Sequence, residues 1–103
     1  MVSVEILHVD ECPSWETAEA RTREALESLG RPDIPVSTRL LLTAEDAARS
    51  AFAGSPTITL DGTDLFPTEG RASDLACRVY VTPEGLRGAP TVDQIVDALR
   101  SRL

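Results

Sequence analysis

A change of hydrophobic period near residue 13 constrains this chain more than any other feature. Residues 2–9 (VSVEILHV) form a β-rich run of strand length, interrupted in its apolar character only by Ser3, Glu5 and His8. Such a run fits a central strand covered on both faces. Cys12-Pro13 follows, and from Pro13 onward Trp15, Ala18, Thr22, Leu26 and Leu29 recur at steps of three and four, one face of a helix. Proline suits the first helical position because its missing N–H has no intrahelical partner there. Gly30 predicts the stop, and Pro32 and Pro35 prevent the helix from resuming. Residues 36–42 (VSTRLLL) read as a second strand. Strand, helix and strand in that order predict a parallel pair with a right-handed crossover.

The remaining signals extend this unit. Thr43, with Asp46 in a capping-box arrangement, opens a short helix built on Ala44, Ala47, Ala48 and Ala51. Gly54-Ser55-Pro56 breaks it. Residues 57–60 are strand-like, Asp61-Gly62 is a hairpin turn signal, and residues 63–66 return. A polar loop over 67–76 precedes a further strand over 77–82 (CRVYVT), which Pro83-Glu84-Gly85 turns. Thr91 with Gln94 forms a second capping box, ahead of a helix with the stripe Val92, Ile95, Val96, Leu99 and Leu103. The expected order is β-α-β-α-β-β-(β)-α. The fold class is α/β: one mixed sheet of four to five strands with helices on both faces, in a single domain over residues 1–103.

Composition narrows the function classes. With 10 basic and 17 acidic residues the net charge is −7, and every basic residue is arginine. A phosphate-backbone binder needs a concentrated basic face, so nucleic acid is not an expected partner. No stretch approaches the roughly 20 apolar residues of a membrane span. The first residues carry Glu5 and lack a basic start, so they do not read as a signal peptide. A cytoplasmic location is expected, where thiols stay reduced. The two cysteines, Cys12 and Cys77, are too few for a disulfide scaffold and read as chemical, metal-binding or incidental.

A first strand, then Cys12-Pro13-Ser14-Trp15 opening a helix, then Gly54-Ser55-Pro56-Thr57 entering a hairpin, resembles the thioredoxin-like superfamily. The likeness covers roughly residues 2–66 and 91–102. It is closer to small bacterial thioredoxin-like proteins with a Cys-Pro-x-(Cys/Trp) turn, a Gly-Ser-Pro-Thr segment and a later Cys-Arg-x-Tyr strand, here Cys77-Arg78-Val79-Tyr80. Some of these are labelled alkylmercury-lyase-like. The resemblance implies that Pro56 follows a cis peptide and faces the reactive sulfur. It implies thiol/disulfide exchange with a small thiol or a protein disulfide, without a cofactor. Pro13, Ser14, Trp15, Ser55, Pro56 and Thr57 would then line the site. Two departures stand against a full transfer of activity. Trp15 occupies the position of the second cysteine of a dithiol motif, and residues 67–90 are longer than the connection expected before the last helix.

Cys12 has a physical case of its own. A sulfur at a helix N-terminus meets unpaired N–H groups and the positive end of the dipole, both of which favour the thiolate. Asp10, Glu11 and Glu16 oppose this, and Arg71 or Arg78 would offset them if brought near. The other reading of Cys12 is a relic of the fold's turn. Cys77 is either a resolving thiol, if its Cα lies within about 7 Å of that of Cys12, or a small buried side chain. His8 either accepts a proton from Cys12, or packs at the sheet end or faces solvent. Trp15 either floors a groove beside the sulfur or is core. No pair among Cys12, Cys77, His8 and Asp10 has diagnostic zinc spacing, so no resident metal is expected. The competing class is a non-catalytic binding module for a peptide, or for a soft metal or mercurial held by two thiolates.

Overall fold

The computed structural model describes residues 2–10, 14–67 and 78–103. Cys12, Pro13 and Cys77, together with Glu11 and Arg71, lie outside the described residues. The elements run β1 (Val4–His8), α1 (Ser14–Ser28), β2 (Val36–Leu40), α2 (Ala44–Ala48), β3 (Thr57–Leu60), β4 (Thr63–Asp64), β5 (Tyr80–Thr82), β6 (Gly85–Arg87) and α3 (Val92–Arg100). It is a mixed α/β protein. Strands β2-β1-β3-β4 form one four-stranded sheet in that order, with β1 parallel to β2 and antiparallel to β3.

Side-chain alternation along β1 divides the interior. Val4 and Ile6 face α1 and α3, joining Ala18, Ala25 and Leu26 of α1, Ile58 of β3, and Ile95 and Leu99 of α3. Leu7 and Val9 point the other way, into a smaller cluster with Leu41, Ala47 of α2 and Phe52. Period 2 places successive residues on opposite faces, which is why one strand serves both clusters. Each fully buried leucine or isoleucine contributes about 1.5–3 kcal/mol relative to exposure. Thr22 sits in the α1 stripe without a stranded hydroxyl, because its Oγ1 donates to the Ala18 carbonyl at 2.7 Å.

Helix starts follow the capping signals. Thr43 accepts from the Asp46 N–H at 3.1 Å. Thr91 accepts from the Gln94 N–H at 3.1 Å, while the Gln94 side chain accepts from the Thr91 N–H at 2.9 Å, a complete reciprocal box.

Three expectations need correction. The strand after the polar loop does not extend the main sheet: β5 pairs with β6, which forms where the sequence predicts only a turn and its aftermath, in a separate two-stranded sheet. The return strand β4 is only Thr63–Asp64; the Leu65 N–H still donates to the Ile58 carbonyl at 2.9 Å, and the Asp64 carboxylate accepts from the Phe66 N–H at 2.8 Å. Leu103 lies beyond α3 and is exposed, so the buried stripe of that helix ends at Leu99.

Candidate functional site

The site is built at the end of the sheet where β1 leaves and the segment before β3 arrives. Ser55 is buried there, and its two oxygens are used by two distant parts of the chain. Its Oγ accepts from the Val9 N–H at 3.0 Å, and its carbonyl accepts from the Arg78 N–H at 2.8 Å. The Ser55–Pro56 peptide is cis. Thr57 spends its hydroxyl locally, donating to the Gly54 carbonyl and accepting from the Ala53 N–H at 3.0 Å. Ser55, Pro56 and Thr57 are all buried, so they shape the segment from within the fold.

A second layer holds that segment from the β5 side. The Tyr80 hydroxyl donates to the Pro56 carbonyl. Arg78 forms a 2.9 Å ion pair with Asp64 and donates to the Phe66 carbonyl. Its guanidinium carbon also lies 4.6 Å from the centre of the Tyr80 ring, a cation–π contact. The Arg78–Asp64 pair has side-chain exposures of only 6% and 12%, so solvent screens it weakly. Arg78 is thereby committed to Asp64, Phe66 and Tyr80, and the expectation that it offsets charge beside Cys12 finds no support in these contacts. Nothing in the sequence singles out Asp64. Its spacing of 14 residues from Arg78 carries no periodic signal.

At the β1–α1 side, the rings of His8 and Trp15 stack with centroids 4.3 Å apart and planes 15° from parallel. Trp15 is half-buried and packs against the main core while its ring contacts the His8 imidazole. His8 is 7% exposed, and its Nδ1 is buried with no hydrogen-bond partner among the described residues. An unsatisfied buried group of this kind costs about 1–3 kcal/mol. Ser14, at the start of α1, packs its hydroxyl against Gly88 so closely that no Cβ fits there. Arg21 of α1 donates to the Pro90 carbonyl at 2.9 Å, tying the same segment down.

A groove of about 630 Å³ lies on the α2 side of the sheet, lined by Glu5, Arg39, Arg49, Thr59, Thr63 and Asp64 among others. Neither His8 nor Trp15 borders it, since both belong to the opposite face. No group of three or more His, Cys, Asp or Glu able to hold a metal occurs among the described residues. No helix among them is long and apolar enough to cross a membrane.

Burial raises the Tyr80 hydroxyl well above its ordinary value of 10.0; the Arg78 guanidinium opposes that shift and Asp64 adds to it. The folded state therefore holds this proton more tightly than the unfolded state. Its contribution is complete below the ordinary value and is lost as pH climbs above it. Tyr80 is the only tyrosine. In an alkaline titration, phenolate absorbance is expected to rise together with loss of near-ultraviolet dichroism, and Tyr80→Phe to flatten that part of the alkaline decline. Phenolate formed with the fold intact would contradict the burial.

No family model matches this chain, and no match is found among the curated proteins or the solved structures. What the fold and the site define is an α/β protein whose first strand ends beside a buried serine shared by two remote segments.

Proposed function

We propose that the protein is a thioredoxin-like thiol/disulfide exchange protein with Cys12 as nucleophile and Cys77 as resolving thiol. The observation that carries this reading is the double use of Ser55. Val9 stands three positions before Cys12, and Arg78 follows Cys77 directly. Both donate their backbone N–H to Ser55, at 3.0 and 2.8 Å. Residues near both cysteines in the sequence are therefore anchored on one serine, which supports the reading. A four-stranded mixed sheet with α1 and α3 on one face and α2 on the other agrees with the mixed sheet and two-faced helix packing expected from the sequence, and adds support.

The chemistry balances with thiols and disulfides alone. Cys12 as thiolate attacks one sulfur of a substrate disulfide; a new S–S bond forms, the old one breaks, and the departing thiolate takes up a proton. The Cys77 thiolate then attacks the Cys12 sulfur of the mixed disulfide. This releases the second substrate sulfur as a thiol and leaves Cys12 and Cys77 oxidised to a disulfide. Within this scheme Ser14 and Trp15 flank the nucleophile. The resemblance implies that Pro13, Ser55, Pro56 and Thr57 line the same site; Ser55, Pro56 and Thr57 are buried.

Reduced protein incubated with oxidised glutathione and followed by mass spectrometry tests the reading. Expected are a transient glutathione adduct on Cys12, its replacement by a Cys12–Cys77 disulfide, no adduct on Cys12→Ser, and an adduct that persists on Cys77→Ser. Adduct formation no faster than that of an unstructured cysteine peptide overturns the proposal in favour of a non-catalytic binding module.

A further inference from the structure

We propose that the groove on the α2 face of the sheet binds a small monocarboxylate with an apolar body, its carboxylate held by Arg39 and Arg49. None of the residues assigned to thiol exchange is among the described residues that line it, so the proposal is independent of that reading. Strand register builds the floor, because residues directly opposite each other in a sheet share a face. Arg39 of β2 lies opposite Leu7 of β1, Thr59 of β3 opposite Glu5 of β1, and Asp64 of β4 opposite Thr59. Glu5 and Leu7 are two apart in β1 and share that face as well. All five side chains line the groove. Its volume of about 630 Å³ lies inside the range of roughly 300–1,000 Å³ usual for small-molecule sites.

A central strand covered on both faces reads as a continuous apolar run. Glu5 breaks that run in β1, and the groove is where the break lies. Helix α2 has only five residues, and its Ala47 packs with Leu7, Val9, Leu41 and Phe52, toward the end of β1. At the other end of the strand Glu5 opens onto the groove instead of onto an apolar neighbour. Leu7, Ala51 and Ala53 supply an apolar wall beside it. The Thr59 hydroxyl is already spent, donating to the Glu5 carbonyl at 2.8 Å, so an apolar body fits there better than a polar one.

Charge selects the head group. The chain carries a net charge of −7, yet this groove is locally cationic. Asp64 is neutralised by Arg78 at 2.9 Å. Glu5 stands 3.8 Å from Arg39, too far for a hydrogen bond, so the fork of Arg39 keeps its donors open. Arg49, which caps the C-terminal end of α2, has no ion pair or side-chain hydrogen bond among the described residues, and Glu45 and Asp46 one turn earlier do not reach it. Two guanidiniums against the single carboxylate of Glu5 leave one positive charge in surplus. That balance matches one carboxylate, whereas a phosphate dianion would be repelled by Glu5 without full compensation. A planar guanidinium also receives a carboxylate through two parallel hydrogen bonds.

The test is a titration of the full chain with benzoate at mildly alkaline pH, followed by proton–nitrogen NMR of the amides and arginine side chains. Benzamide is the neutral control and inorganic phosphate the dianion. Expected are saturable shifts at Leu7, Ala51, Ala53 and Thr59 with a Kd of about 1 mM or tighter, and no saturation with benzamide. Arg39→Gln and Arg49→Gln are each expected to weaken benzoate binding roughly fivefold. Glu5→Gln, which removes the opposing charge, is expected to tighten it roughly threefold. None of these three side chains is buried, so the variants are expected to keep the wild-type circular dichroism spectrum. Benzamide binding as well as benzoate, phosphate binding more tightly, unchanged affinity in either arginine variant, or no saturation by about 20 mM benzoate overturns the proposal. Shifts confined to His8, Trp15 and Ser55 would put the anion at the sheet end and overturn it too.

Discussion

Arg78→Met is expected to lower the free energy of unfolding by about 3–5 kcal/mol. Methionine keeps most of the apolar stem but removes the fork that serves Asp64, the Phe66 carbonyl and the face of the Tyr80 ring. Asp64 would remain as a mostly buried carboxylate without a counter-ion, and that uncompensated charge is the main cost. A domain of this size has roughly 5–15 kcal/mol in all, so the loss is a large share of the total. Urea unfolding checks it through a lower midpoint with an unchanged slope. Adding Asp64→Asn to Arg78→Met is expected to restore part of the loss, because it removes the stranded charge. Arg78→Lys is expected to fall between the two, since an ammonium keeps the charge without the planar fork. A loss below about 1 kcal/mol for Arg78→Met would mean that the pair is screened as a surface bridge is, against its burial.

Gly54→Ala is the second large effect, expected at about 2–5 kcal/mol, and it reaches the site directly. Gly54 has φ +109°, a backbone state that L side chains rarely adopt. A Cβ there would also stand 2.7 Å from the Cβ of Arg78, closer than real Cβ contacts come. Neither neighbour yields easily. The Arg78 N–H is held by the Ser55 carbonyl and its side chain by Asp64, while Gly54 is held through the Thr57 hydroxyl. Gly30→Ala separates the two causes. Gly30 has φ +73° and nothing within 4 Å of where a Cβ would stand, so only the backbone term applies there, about 1–2 kcal/mol. If both substitutions cost the same, the Arg78 contact is not what requires glycine at position 54. On the proposed reading, since Ser55 is next in the chain, Gly54→Ala is also expected to slow thiol exchange at Cys12 under conditions where the variant remains folded.

These two substitutions mark the point where local signals run out. The helices are legible because their signals are local. The stripe Ala18, Thr22 and Leu26 and the caps at Thr43 and Thr91 depend on residues three and four apart. The strands β1, β2 and β3 are legible for a similar reason, since each is an apolar or β-branched run bounded by turn residues. The β5–β6 hairpin is not. Its outer residues Val81 and Leu86 pair across the strands but remain exposed, so no buried face imposes a period-2 pattern on Gly85–Arg87. His8 is ambiguous in the sequence because a single imidazole in a strand reads alike as packing or as chemistry. Its stack on Trp15 and its unpartnered Nδ1 among the described residues are features of the fold in space, which no local pattern encodes.

The chain alone therefore determined the helices, the strands of the main sheet, their order and the α/β class, but not β6, because hydrophobic period, capping and turn chemistry act over a few residues. Only the tertiary structure decided that Val9 and Arg78 meet on Ser55 across separations of 46 and 23 residues, and that Asp64 rather than the start of α1 receives the Arg78 charge. Those pairings depend on strand register and on the path of the segments between elements, which place distant residues together without leaving any periodic trace along the sequence.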